Sequence, residues 1–137
     1  MSFNPEHSEQ LSRLMNRYAE NDAIEVISLA TTDGFPVQTF NRANHSIEQD
    51  SLAAAASTLH SVSNAVTRQI LAKRFKVTFI EAEQGNVAFV DLELEGDNYV
   101  LVMSATQTLN IASLRLLITR MAKEIHQLSN KPDIASV

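Results

Sequence analysis

Between Ser51 and Ala72 the chain reads SLAAAASTLHSVSNAVTRQILA, a stretch whose one formal charge is Arg68. Leu52, Ala56, Leu59, Val62, Val66 and Ile70 recur at intervals of three and four, which places them on one face of an α-helix about 33 Å long. That face is expected to lie on a sheet or core. The opposite face carries Ala54, Thr58, Ser61, Ala65, Arg68 and Ala72, where an ordinary surface helix shows Glu and Lys. Ala is the best helix former, so a solvent-facing small-residue surface is the plainer alternative. A helix apolar on one side and nearly uncharged on the other is nevertheless better explained if both sides are packed. Small residues let a second helix come close, so the stretch predicts oligomerisation through this helix.

A length of 137 residues suits one domain with a real core. The whole of 1–137 is therefore read as a single domain, with its core over 11–128 and a flexible tail at 131–137. The net charge of -5 and the lack of a basic stripe argue against nucleic acid as a partner. Lys73, Arg74 and Lys76 form the one basic cluster, which reads as cations complementing the dipole at the end of the long helix. With no cysteine, disulfides, thiolate metal sites and cysteine nucleophiles are excluded. The start, MSFNPEHSEQ, lacks the pattern of a secretory leader, and no run approaches the roughly eighteen apolar residues of a membrane span. A cytoplasmic protein without direct membrane insertion is expected.

Asn4, Pro5 and Glu6 have the chemistry of a helix start: a capping side chain, a proline that needs no N–H, and an acid near the positive end of the dipole. Leu11, Leu14, Met15 and Tyr18 then predict a short amphipathic helix. From Ile24 the period shortens to two, and IEVISLATT predicts a strand with Ile24, Val26 and Ala30 on one face and Ile27 and Leu29 on the other. Asp33-Gly34 supplies a tight reversal. Phe35 to Asn41 returns as a strand that Pro36 confines to a sheet edge. Ser46 or Asp50 is expected to cap the long helix. Strands follow at 76–83, 86–95 and 98–105, with Gly85 and Gly96 in the turns between them. The last two are apolar on both faces, Val87 and Phe89 against Ala88, Val90, Leu92 and Leu94, then Tyr99, Leu101 and Met103 against Val100 and Val102. Such strands need cover on both sides. Thr108 or Asn110 opens a closing helix in which Leu114, Leu117, Ile118, Met121, Ile125 and Leu128 share one side.

This order of elements, the turn Asp33-Gly34-Phe35-Pro36-Val37 and the Ala-rich helix together resemble the roadblock / dynein light chain family in its bacterial type. The parts that carry the resemblance are AIEVISLA, the turn, Leu52 to Ala72, KVTFIEAE through YVLVMSA, and LNIASLRLLITRMAKEI. The resemblance implies an α+β, profilin-like fold: a five-stranded antiparallel sheet, order α-β-β-α-β-β-β-α, with the long helix on one face and the two terminal helices on the other. It further implies a homodimer made by pairing the long helices and the edges of the strand that follows. Ala54, Thr58, Ser61, Ala65 and Ala72 would then form the helix contact, and Val77, Thr78 and Phe79 the shared edge. Members of the family serve as dynein subunits, as scaffolds and as exchange or activating factors for small Ras-like GTPases, and in bacteria as regulators of a polarity GTPase. The resemblance thus implies a non-catalytic adaptor or regulator of a small GTPase or a larger assembly. Ser57, His60, Asn64 and Arg68, at the flank of the long helix, are the expected exposed platform for that partner. Where the family often has Leu-Gly before the last helix this chain has Leu109-Asn110, and Asn suits a capping conformation.

Enzymatic chemistry finds little support. His7, His45, His60 and His126 are far apart and none has a second ligand at metal spacing. There is no G-x-S-x-G elbow and no phosphate-cradling G-x-x-x-x-G-K loop, so neither cofactor nor metal is expected. Glu81, Glu83, Asp91, Glu93, Glu95 and Asp97 read as solvated charges guarding strand ends. A competing reading is a small-ligand sensor of profilin-like or PAS-like type, which needs convergent polar groups in an apolar lining. Ser28, Thr78 and Ser104 are its isolated candidates.

Overall fold

Strands that are apolar on both faces need a layer on each side, and the chain supplies both. The computed structural model describes residues 5–130. Their order is α1 (Pro5–Tyr18), β1 (Ile24–Thr31), β2 (Pro36–Asn41), α2 (Gln49–Leu71), β3 (Val77–Ala82), β4 (Gly85–Leu94), β5 (Asp97–Thr106) and α3 (Ile111–Asn130). The expected cap at Asn4 and the tail 131–137 lie outside the described residues. All strands join one antiparallel sheet in the order β2-β1-β5-β4-β3. β5, the last to be made, is central, and β2 with its Pro36 is an edge.

On one face Leu11, Leu14 and Met15 of α1 and Leu114, Ile118, Met121 and Ile125 of α3 pack on Ile27, Leu29, Val90, Leu92, Leu101 and Met103. On the other, Ala53 and Ala56 of α2 pack on Ala30, Phe89, Val100 and Val102. The alternation along β4 and β5 is therefore divided between the layers as the sequence predicts. β1 departs from it at one residue. Ile24 joins the α1/α3 side rather than the side of Ala30, because the register with β5 shifts between Ile24 and Val26. One extra residue in a strand turns what precedes it to the opposite face.

The turns also refine the reading. Gly34 has φ 99°, but the β1–β2 connection is a wider loop held by the Thr31 hydroxyl, which accepts the Phe35 N–H at 2.9 Å. Between β3 and β4 it is Gln84, φ 65°, that takes the left-handed conformation. Gly85 serves a different need, since a Cβ there would meet the Ala105 carbonyl oxygen at 2.8 Å. Gly85→Ala must push β4 from β5 and is expected to cost about 1–3 kcal/mol in urea unfolding. An unchanged midpoint would show that the strands separate freely at that end.

α2 begins after Glu48, which makes no side-chain capping bond, so neither Ser46 nor Asp50 fills the expected role. It ends at Ala72, left-handed at φ 57°, whose N–H donates to the Arg68 carbonyl. Asn110 caps α3 as expected of it, its Oδ1 accepting the Ser113 N–H at 2.8 Å. α1 and α3 are tied by Glu124, which accepts from both Arg17 and the Tyr18 hydroxyl. Burial, and then the bond to Glu124, raises the Tyr18 phenol well above its ordinary value; burial raises Tyr99 as well. The fold favours the neutral phenol, so this stabilisation is complete below about pH 10 and is lost as pH climbs towards the folded value. Stability is expected to decline above about pH 10, and less steeply in Tyr18→Phe. An identical decline in that variant would remove Tyr18 as a source.

Candidate functional site

α2 rests on the sheet by its small side. Its buried residues are Ala53, Ala56 and His60, flanked by the half-buried Ser57, Ser63, Asn64 and Thr67. Val62, Val66 and Ile70 are instead 51%, 50% and 74% exposed. The expectation that the stripe from Leu52 to Ile70 lies on the sheet holds for Ala56, holds partly for Leu52 and Leu59, and fails from Val62 onward. The sheet surface beneath presents Phe89, Val100 and Val102. Small helix residues fit closely over these large ones, and the bulky aliphatics are rotated away.

Polar contacts fix that rotation along the helix. The Ser57 hydroxyl donates to the Thr32 carbonyl. His60 Nε2 donates to Asp91 Oδ1 at 2.6 Å, with its ring edge-on to Phe75 at a centroid distance of 5.4 Å. The Ser63 and Thr78 hydroxyls are 2.8 Å apart, and Asn64 Oδ1 accepts the Phe75 N–H at 3.2 Å. Arg74 Nη2 completes the cluster, donating to the second oxygen of Asp91 at 2.7 Å.

Two expectations change here. Asp91 is not a solvated strand-end acid, although Glu81, Glu83, Glu93, Glu95 and Asp97 are exposed. Arg74 lies beyond the end of α2 and is the counter-ion of Asp91 rather than a partner of the helix dipole. Asp91 thus joins α2, the α2–β3 connection and β4. Asp91→Ala strands two donors and is expected to cost about 1–3 kcal/mol, with Asp91→Asn costing less. Equal losses in the two variants would mean that the charge, and not the pair of acceptors, carries the effect.

The residues expected to meet a partner are partly brought together. His60, Asn64 and Arg68 line one shallow recess with Thr32, Ser61 and Ala65. His60, however, is 7% exposed and engaged with Asp91, which corrects its placing on an exposed platform. Ser57 and Asn64 are half-buried, and Arg68 is exposed. Ala54, Thr58, Ser61, Ala65 and Ala72 are all exposed; Val77, Thr78 and Phe79 are half-buried on β3, whose outer edge pairs with no described strand. The sequence reading missed the bare aliphatic stripe Val62, Val66 and Ile70, accompanied by Leu71 and, from β3, Ile80. The helical period that revealed the stripe does not say which of two faces meets the sheet.

Among the described residues no group of three or more His, Asp and Glu is arranged to hold a metal ion, and no helix is long and apolar enough to cross a membrane. Residues 10–105 match the Roadblock/LC7 domain. The chain belongs to the Roadblock/LC7 family. Solved structures share its fold at low identity. Myxococcus xanthus MglB is 16% identical with a TM-score of 0.78, the match covering 93% of each chain. An MglB with tetrameric arrangement is 15% identical with a TM-score of 0.79, over 96% of this chain and 95% of that one. The Roadblock/LC7 domain from Streptomyces avermitilis is 17% identical with a TM-score of 0.71, over 85% and 94%. No curated protein matches the sequence. Roadblock/LC7 domains are adaptor and regulator domains.

Proposed function

We propose that this chain is a homodimeric, cytoplasmic adaptor or regulator that binds a small Ras-like GTPase or a larger signalling or motor assembly and performs no chemistry itself. The observation that carries this reading is the bare stripe Val62, Val66 and Ile70 next to Ile80 of β3, a strand with an open edge, in a Roadblock/LC7 domain. A second copy related by a two-fold axis would cover each stripe with the other and pair the two β3 edges through Val77, Thr78 and Phe79. The small outer residues Ala54, Thr58, Ser61 and Ala65 leave room for that approach. Self-association is on record for one structural neighbour, the MglB with tetrameric arrangement.

Membership of the family supports a small GTPase as the partner. Its platform would be the exposed Arg68 beside Thr32 in the recess, together with Phe35, 65% exposed at the hairpin tip. The sensor reading is less well served, because the Ser28 and Thr78 hydroxyls are engaged with those of Thr39 and Ser63. The test titrates the purified chain into the small Ras-like GTPases of its own genome, each loaded with GDP or a GTP analogue, by calorimetry. Binding that prefers one nucleotide state and weakens in Arg68→Glu is expected. Absence of binding to every such GTPase in both states sinks the GTPase assignment, while the dimer stands or falls separately by light scattering.

A further inference from the structure

On the face opposite α2, two helices lie over a five-stranded sheet. A helix with its side chains is about 10 Å wide and strands are about 4.8 Å apart, so two helices cover about four strands. α1 packs against β2, and α3 against β4 and β5. β3 is the strand left over. Its Val77 and Phe79 belong to this face and are only half-buried. Between them and α3 runs an open groove of about 1050 Å³, floored by Val77, Phe79 and Val90 and walled by Ile111, Leu116 and Ala122. Leu116 is 63% exposed.

The charge of the groove runs against that of the chain. The whole molecule carries -5, yet the groove is bordered by Lys76, Arg115 and Lys123. None of the three makes a side-chain hydrogen bond or ion pair among the described residues. Asp91 also borders the groove but has both oxygens engaged by His60 and Arg74. Glu93 is the one lining carboxylate without a side-chain partner among the described residues.

We infer that this groove receives an amphipathic helix of a partner protein, apolar on one side and acidic along its flanks, as the third helix of the layer. The lining positions of α3 run from Ile111 to His126, which matches an occupant of about four turns, about 24 Å. Its apolar side covers Val77, Phe79 and Leu116. Its carboxylates sit opposite Arg115 and Lys123, about two turns apart on α3. A strand would add at the edge of β3 through backbone bonds in the plane of the sheet, whereas this groove lies over the sheet and offers side chains. The self-association proposed above uses α2 and the edge of β3, so the groove stays open in that dimer.

The test uses fluorescence anisotropy with the full chain and a labelled helical peptide of about 16 residues, built from Leu, Ala and Glu with Leu at every third or fourth position. A twin peptide has Lys in place of each Glu. The acidic peptide is expected to bind at least about tenfold more tightly than the basic one, and the double variant Arg115→Glu, Lys123→Glu to reverse that preference. Both substitutions are at exposed positions, and circular dichroism checks that the fold is kept. Equal binding of the two peptides, binding of neither, or a preference untouched by the double variant overturns the assignment. So does a change of particle mass in the double variant, since the groove would then be a contact between copies of this chain.

Discussion

Val66→Asp is expected to bring the particle mass in light scattering from about twice 15.2 kDa down to that of a single chain. Val66 is the middle member of the bare stripe and half of its surface is already out of water. In an isologous contact every substitution occurs twice, close to the symmetry axis. Each new carboxylate would be drawn from water into an aliphatic contact without a cation opposite it, at a cost of several kcal/mol. The isolated fold has no comparable stake, because the side chain points away from the sheet. Its far-UV circular dichroism is expected to stay that of the wild type. Ala65→Glu is the companion variant. Ala65 lies one position round the helix, towards Ala54, Thr58 and Ser61, and a smaller shift in dissociation constant is expected there. Dissociation by Ala65→Glu alone would move the contact to the small-residue face, and a dimer that survives both changes would exclude α2 from it.

Leu101→Ala is expected to be the most damaging single truncation, at about 3–5 kcal/mol. Leu101 is fully buried in the central strand, with Leu29 and Val90 as its neighbours across β1 and β4. The helices packed over this face leave little freedom for the cavity to close. A domain of this size commonly has about 5–15 kcal/mol in total, so the urea midpoint should fall by a large fraction. Leu116→Ala removes the same atoms from an exposed position of α3 and is expected to stay within about 0.5 kcal/mol. Similar losses in the two variants would contradict the division between core and groove.

Why some of this could be read in advance and some could not is clearest in α2. Its existence and length follow from periodicity, as do the meander and the double burial of β4 and β5. Its rotation does not follow, because size and polarity gave conflicting signals. Periodicity analysis assumes that the largest apolar residues face inward, and here Phe89, Val100 and Val102 supply the bulk from below. Ala53, Ala56 and a hydrogen-bonded His60 are what fits above them. Asp91 was misread for a different reason. Its partners are seventeen and thirty-one positions away, and nothing local separates a paired carboxylate from the solvated ones along the same meander. The bulge that turns Ile24 is likewise a property of the pairing with β5 and has no counterpart in the composition of β1.

The two margins of the sheet are unequal. β2 opens with Pro36, which has no N–H to offer, and faces a register shift between Leu29 and Ala30. β3 runs regularly from Val77 to Ala82 against β4, with neither proline nor bulge. A sheet with two receptive margins can grow without end, copy upon copy, into a fibre. With one margin blunted, a single head-to-head pairing consumes the only receptive one, and polymerisation has no second step. In the proposed dimer, the asymmetry that offers a place to associate would also limit how far association can run.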